Sequence, residues 1–327
     1  MVRKGSPVRV RRWALSTAYL VTSHREPDQV LRLVRVLREQ PGAEVYVRHD
    51  QRRTQLPRER VEDAGGHAIE DGIDVEWGGW SYLQVLLGGL RAVAEQADPD
   101  WTLVLSGQDY PLVHHAELED FLAREKRDAH LTALWALGAL RLSGEPRDDF
   151  VLRYGYRHVG VPWLPARLPK AVAYGRELPS GQKLLGLRDP SRPELPLHVS
   201  GDWPTLNRRA VRRLLAFPAA HPRLMRRYRR SFAASESFFA TALMNDAELA
   251  VGGGPHRFVD FPPGAPNPRT LTRADLTAMT VSGAHFARKF DPAVDDGVLD
   301  ALDRLRADRS ARASLDRPWP AETSESP

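Results

Sequence analysis

Four short segments of this 327-residue chain combine residue types that could do chemistry. The first runs Trp77, Gly78, Gly79, Trp80, Ser81, after a β-like run and before a helical pattern. Its glycines let backbone approach a ligand closely, and its tryptophans offer flat faces to a sugar or a base. The second runs Ser106, Gly107, Gln108, Asp109, Tyr110, Pro111. A carboxylate at position 109 can accept hydrogen bonds from sugar or ribose hydroxyls; the structural alternative is an Asx-type turn. The third joins Ser200, Gly201, Asp202 and Trp203 to Leu206, Asn207 and Arg208, with Ser235, Glu236, Ser237, Phe238 and Phe239 further on. Glu236 opens an apolar helical stretch, a place where an acid also favours the helix dipole. The fourth runs Phe286, Ala287, Arg288, Lys289, Phe290, Asp291. Two adjacent cations between aromatics make a compact anion site. Arginine can grip a diphosphate through two donors, and lysine adds a point charge. The same pair could instead lie on the surface with its stems buried.

These segments need a scaffold, and the apolar pattern predicts one. Residues 18–22 read as a buried strand, 27–39 as a helix, 44–47 as a strand, 82–95 as a helix, 101–106 as a strand apolar on both faces, and 116–124 as a helix. Repeated strand–helix units predict a parallel, doubly wound sheet, and such sheets bind ligands at the carboxyl ends of their strands. Residue 109 then sits at the binding edge. Residues 126–197, rich in Pro, Arg and Gly, read as long connections with embedded strands, a lid or acceptor platform. Helices are predicted again over 208–217, 235–244, 273–280 and 294–306, with a strand over 257–261. The expected organisation is one catalytic domain, 1–306, with a nucleotide-binding half at 14–125 and a catalytic half at 198–306. A disordered tail is expected over 307–327.

Composition narrows the chemistry. There is no cysteine, so no disulfide framework, thiolate metal site or thiol nucleophile exists. No GxGxxG, GxxxxGK[ST], GxSxG or HExxH segment occurs. The Asp98-Pro99-Asp100 triplet precedes the 101–106 strand, at the end away from the predicted crevice, and reads as a surface turn; no metal is expected. His114 and His115 read as a solvated turn. The net charge of +5 rests mostly on arginine. It suits an anionic partner: nucleotide phosphates, an acidic acceptor or an anionic membrane surface. The basic N-terminus has too short an apolar run for a signal peptide or membrane span, which predicts a cytoplasmic protein.

Taken together and in order, WGGxS, SGxDYP, GDW…LNRR, ESFF and FARKF resemble the Core-2/I-branching β-1,6-N-acetylglucosaminyltransferase family, and within it the protein O-xylosyltransferase branch. The resemblance spans roughly residues 16–291. It departs over 126–197, and Pro204 stands where the family has an aromatic. The resemblance implies a GT-A-like fold and inverting, metal-independent transfer of xylose or N-acetylglucosamine from a UDP-sugar. It implies Glu236 as general base and Asp202 beside the acceptor hydroxyl, with Trp203 on the acceptor side. Arg288 and Lys289 would hold the diphosphate, with Arg269 a further phosphate ligand. Asp50, Trp77, Gly78, Gly79, Ser81 and Asp109 would line the donor sugar and nucleoside pocket. The acceptor would be a glycan, glycolipid or peptide. Two rival readings are a nucleic-acid-binding protein, suggested by the arginine runs at 207–213 and 223–230, and an inactive sugar-nucleotide-binding module. The runs lack the aromatic platform that nucleic-acid binding needs, so no nucleic acid is expected.

Overall fold

The computed structural model describes residues 15–76, 78–131, 135–136, 148–164, 173–178, 181–254, 256–263, 265 and 267–315. Its first half is β1 (Thr17–Ser23), α1 (Pro27–Leu37), β2 (Glu44–His49), α2 (Arg58–Asp63), β3 (His67–Ala68), α3 (Trp80–Gln96), β4 (Trp101–Ser106), β5 (Tyr110–Pro111), α4 (His115–Arg124), β6 (Ala129–Leu131) and β7 (Trp135–Ala136). Then follow α5 (Asp148–Tyr154), β8 (Tyr156–Val161), β9 (Ala173–Glu177), β10 (Lys183–Arg188), β11 (His198–Val199) and β12 (Thr205–Asn207). The rest is α6 (Arg208–Ala220), α7 (Pro222–Tyr228), α8 (Ser235–Met244), β13 (Val251–Gly253), β14 (Arg257–Val259), α9 (Leu276–Val281), β15 (Phe286–Arg288) and α10 (Val298–Leu315).

Alternation along the central strands builds two cores. Tyr19, Val21, Val45, Val47, Leu103 and Leu105 face one layer, where α1 and α10 supply Val30, Leu33, Val298 and Leu302. Ala18, Leu20, Tyr46 and Val104 face the other, where α3, α6 and α8 supply Leu83, Leu86, Leu214 and Phe238. Both faces are apolar because both are covered, as in α/β folds generally. The seven strands run in the order β13-β6-β12-β4-β1-β2-β3. All neighbours are parallel except the pairs that β12 makes with β4 and β6. This is the expected α/β architecture: a mostly parallel sheet flanked by helices. Because β12 is antiparallel, its amino end lies beside the carboxyl end of β4. The Val104 N–H donates to the Pro204 carbonyl at 3.0 Å, which fixes that edge.

Two small sheets complete the frame. β14, β15 and β5 form one, and β8, β10 and β9 form the other, inside the stretch expected to hold long connections with embedded strands. Three further details differ from expectation. The charged helix α2 and the arginine-rich α7 had no apolar signal that predicted them. Residues 273–280 divide into a 3₁₀ turn (Arg273–Asp275) and α9. The last helix starts at Val298, after Asp295 accepts from the Gly297 N–H at 3.1 Å, and continues to Leu315, into the stretch expected as a tail. His114 is an N-cap: its ring accepts from the Ala116 N–H at the start of α4. Among the described residues no helix is long and apolar enough to cross a membrane.

Candidate active site

The carboxyl edge of β1, β2 and β4 gathers most of the residues singled out above. Asp109 follows β4 and is fully buried. Its Oδ2 accepts from the Ser106 N–H at 3.2 Å. Two buried arginines flank it: Arg257 of β14, Nε to Oδ2 3.1 Å, and Arg288 of β15, Nε to Oδ1 3.1 Å. β14 and β15 are paired in parallel, so one small sheet delivers both cations to one carboxylate. Arg257 also donates to the Trp203 carbonyl at 2.9 Å and the Val104 carbonyl at 3.0 Å. The Arg288 guanidinium lies 3.3 Å from the Trp203 ring centroid, a stacked cation–π contact. Trp203 therefore turns one face of its ring to the Arg288 cation. Asp109 meets its surroundings through the two arginines that it holds.

Next to this cluster stand two carboxylates. Asp202 is buried, and its Oδ1 has no hydrogen-bond partner. Burial, and then the negative charge of Glu236, raise its pKa to about 7, against the pull of Ser235, Arg288 and Arg153. Glu236 lies in the first turn of α8. The Ser200 N–H donates to its carbonyl at 2.7 Å, tying the Asp202 loop to the helix start. The Glu236 carboxylate takes an ion pair from Arg153 of α5, Nη1 to Oε2 2.5 Å. Tyr82 of α3 closes the group. Burial first, then the charge of Asp202, holds its phenol protonated, and its hydroxyl lies 3.3 Å from Thr22 Oγ1.

The glycine turn packs against the same place. Gly78 has a φ of +72°, and its carbonyl accepts from the Ala233 N–H at 2.7 Å. A Cβ at Gly78 would lie 2.2 Å from the Phe232 ring. Only glycine meets both conditions. Gly79 is the N-cap of α3, and the Ser81 hydroxyl accepts from the Glu76 N–H at 2.8 Å. Trp77 lies outside the described residues.

The remaining candidates sit further along the edge. Asp50 is buried at the end of β2, its N–H on the Ser23 carbonyl at 2.8 Å, its Oδ1 accepting from the Arg52 N–H at 3.3 Å. Lys289 follows Arg288, and burial, then the charges of Arg288 and Arg25, lower its pKa. Arg269 is taken up by Asp260 and Asp275, each at 2.6 Å, although Leu271 nearby bonds the Lys289 carbonyl. At the opposite end of β4, Asp98 and Asp100 are paired with Arg208 and Arg212. Among the described residues no group of three or more His, Asp or Glu is placed to hold a metal ion.

Three contributors escaped the sequence reading: Arg257, Arg153 and Tyr82. The one available signal was the isolated arginine at the start of the strand predicted over 257–261. Next to Arg257 in sequence, His256 belongs to a histidine group in which His130 and His285 are buried and His256 is partly buried. His130 Nδ1 is 3.1 Å from His256 Nε2, and His256 stacks on His285 at 5.0 Å.

The geometry thus offers cations beside two carboxylates of unlike environment, at the sheet edge where ligands bind. No family profile matches the chain. The chain is similar to the Beta-glucuronosyltransferase GlcAT14A of Arabidopsis thaliana, 30% identical over 217 residues, which is 64% of this chain. It spans 43% of the length of that relative.

Proposed function

We propose that the chain is a glycosyltransferase that moves a sugar from a UDP-sugar to an acceptor hydroxyl, with inversion and without a metal. The observation that carries this is the Asp109–Arg257–Arg288–Trp203 cluster with Asp202 and Glu236 beside it. The similarity to a plant glucuronosyltransferase supports the same reading. The Core-2/I-branching resemblance implies that Arg288 and Lys289 hold the diphosphate and that Glu236 is the general base.

In the proposed reaction the acceptor oxygen attacks the anomeric carbon as its proton passes to a carboxylate. The bond from the anomeric carbon to the UDP oxygen breaks, and its electron pair leaves on the diphosphate. Arg288 and Lys289 offset the charge that grows there. Asp202 is the better-suited base. Its pKa near 7 matches the protonation change that a base must make, and its Oδ1 is unclaimed. Glu236 is engaged by Arg153, and its charge helps to keep Asp202 basic. Proton removal by Glu236 itself is the second reading.

The test is a UDP-sugar hydrolysis and transfer screen covering UDP-xylose, UDP-N-acetylglucosamine and UDP-glucuronic acid, run with and without EDTA. Turnover of one donor that EDTA leaves intact is expected. Turnover of none, or strict dependence on manganese, contradicts the proposal.

A further inference from the structure

The segment that opens α8 holds one residue in a costly backbone conformation. Ala233 has a φ of +50°, in the left-handed region that glycine takes freely and alanine does not. Such a conformation persists only where the surroundings over-determine it. Three elements do so here. The Ala233 N–H donates to the Gly78 carbonyl at 2.7 Å, so the glycine turn holds one side. The Tyr154 hydroxyl, at the end of α5, donates to the Ala233 carbonyl at 2.9 Å. The Glu236 N–H, in the first turn of α8, donates to the same carbonyl at 3.2 Å. One residue earlier, the Phe232 N–H donates to the Arg153 carbonyl at 3.2 Å, a second bond from α5.

Tyr154 is well placed to hold that turn. Its side chain is buried. Burial, and then the charge of Glu236, raise its pKa, so the phenol stays protonated and donates. Its own carbonyl accepts from Arg227 Nε at 3.2 Å, which anchors the end of α5. Its neighbour Arg153 pairs with the Glu236 carboxylate. The last two residues of α5 therefore reach Glu236 by two routes, one through its carboxylate and one through the turn that starts its helix. The Ser200 N–H on the Glu236 carbonyl, at 2.7 Å, ties the Asp202 loop to the same turn.

We infer that Tyr154 is a positioning residue for the proposed transfer: its hydroxyl clamps the left-handed turn at Ala233 and so sets where α8 presents Glu236 and where the Asp202 loop sits. This rests on the proposed function. Tyr154 acts through Ala233 and not on substrate, because its hydroxyl hydrogen is committed to the Ala233 carbonyl.

The experiment starts from Tyr154→Phe, which keeps the ring and removes the donor. Hydrogen exchange at the amides of Ala233 and of residues 236–238 should quicken about tenfold, as for one lost buried hydrogen bond. With a donor that is turned over, kcat should fall about tenfold or more while the donor KM moves less than about twofold. Ala233→Gly adds a readout that a role in packing alone would not move. Glycine adopts the left-handed turn without the clamp. The double variant Tyr154→Phe/Ala233→Gly, judged against Ala233→Gly alone, should therefore recover most of the kcat and of the exchange protection. If Tyr154→Phe does not fold, a double variant that folds supports the clamp, and one that does not overturns it. Exchange reads out even if no donor is turned over, so a failure of the proposed function and a failure of the clamp are told apart. Unchanged exchange in Tyr154→Phe overturns the inference. So does unchanged kcat in a chain that turns over a donor, or a double variant no better than Tyr154→Phe.

Discussion

Asp202 and Glu236 have unlike environments, and that difference is open to measurement. Asp202 carries a raised pKa because it is buried and because Glu236 is negative. Removing the Glu236 charge takes away the second cause. If Asp202 is the base, Glu236→Gln should move the acid limb of the kcat/KM profile to lower pH, with a modest loss of kcat at the optimum. Asp202→Asn should then lose roughly 10²-fold or more in kcat across the whole range. If Glu236 is the base, Glu236→Gln takes that large loss instead. The two macroscopic pKa values belong to the pair, so the direction of the limb is the useful readout. An acid limb unmoved by Glu236→Gln, in a variant that keeps its activity, would separate the two carboxylates and defeat the scheme.

Elements fix these residues through contacts distant in sequence, which decides what could be read beforehand. The strands β1 and β4 and the helix α8 were legible, because continuous apolar runs and helical spacing report local burial. The placement of Asp109 at a strand's carboxyl end was legible for the same reason. Arg257 was not, since its meaning lies in Asp109, Trp203 and Val104, all far away along the chain. The strands of the β8-β10-β9 sheet were expected only as strands embedded in long connections, without bounds, since Arg157, His158, Arg176, Lys183 and Arg188 are spread over both faces and leave no apolar alternation to mark them. Gly78 offers a test of how tightly one element positions another. It is left-handed and pressed on Phe232, whereas Gly72, with φ +65°, has open space where its Cβ would go. Gly72→Ala should cost about 1 kcal/mol from backbone strain alone. Gly78→Ala should cost about 2–4 kcal/mol, since the ring must also move, and should reduce turnover by shifting Ala233 ahead of α8. Equal losses in urea unfolding would mean that the turn is not braced by Phe232.

At the scale of the whole molecule, the buried titratable groups set opposing pH dependences. Burial lowers His256 and His285 to about 4 and also lowers His130. Between about pH 4 and 6.5 the unfolded chain binds more protons at these rings than the folded one, so acidification destabilises. Asp202 works the other way. Its folded pKa of about 7 exceeds the unfolded value near 3.9, so between these limits the folded state binds the extra proton. The cost of holding Asp202 charged is therefore full above pH 7 and fades as the pH falls towards 4. Asp202→Asn keeps the shape and removes that charge. The variant should be more stable than wild type at pH 8, on the order of 2–4 kcal/mol, and the advantage should shrink steadily towards pH 4. Wild type and variant should share the histidine-driven loss below pH 6.5. Urea unfolding across pH 4–8 measures both curves. A gap that widens on acidification, or none at pH 8, would mean that Asp202 is not held as a costly buried charge. A gap of the expected sign would show stability given up at the carboxylate to which the proposed reaction assigns the base.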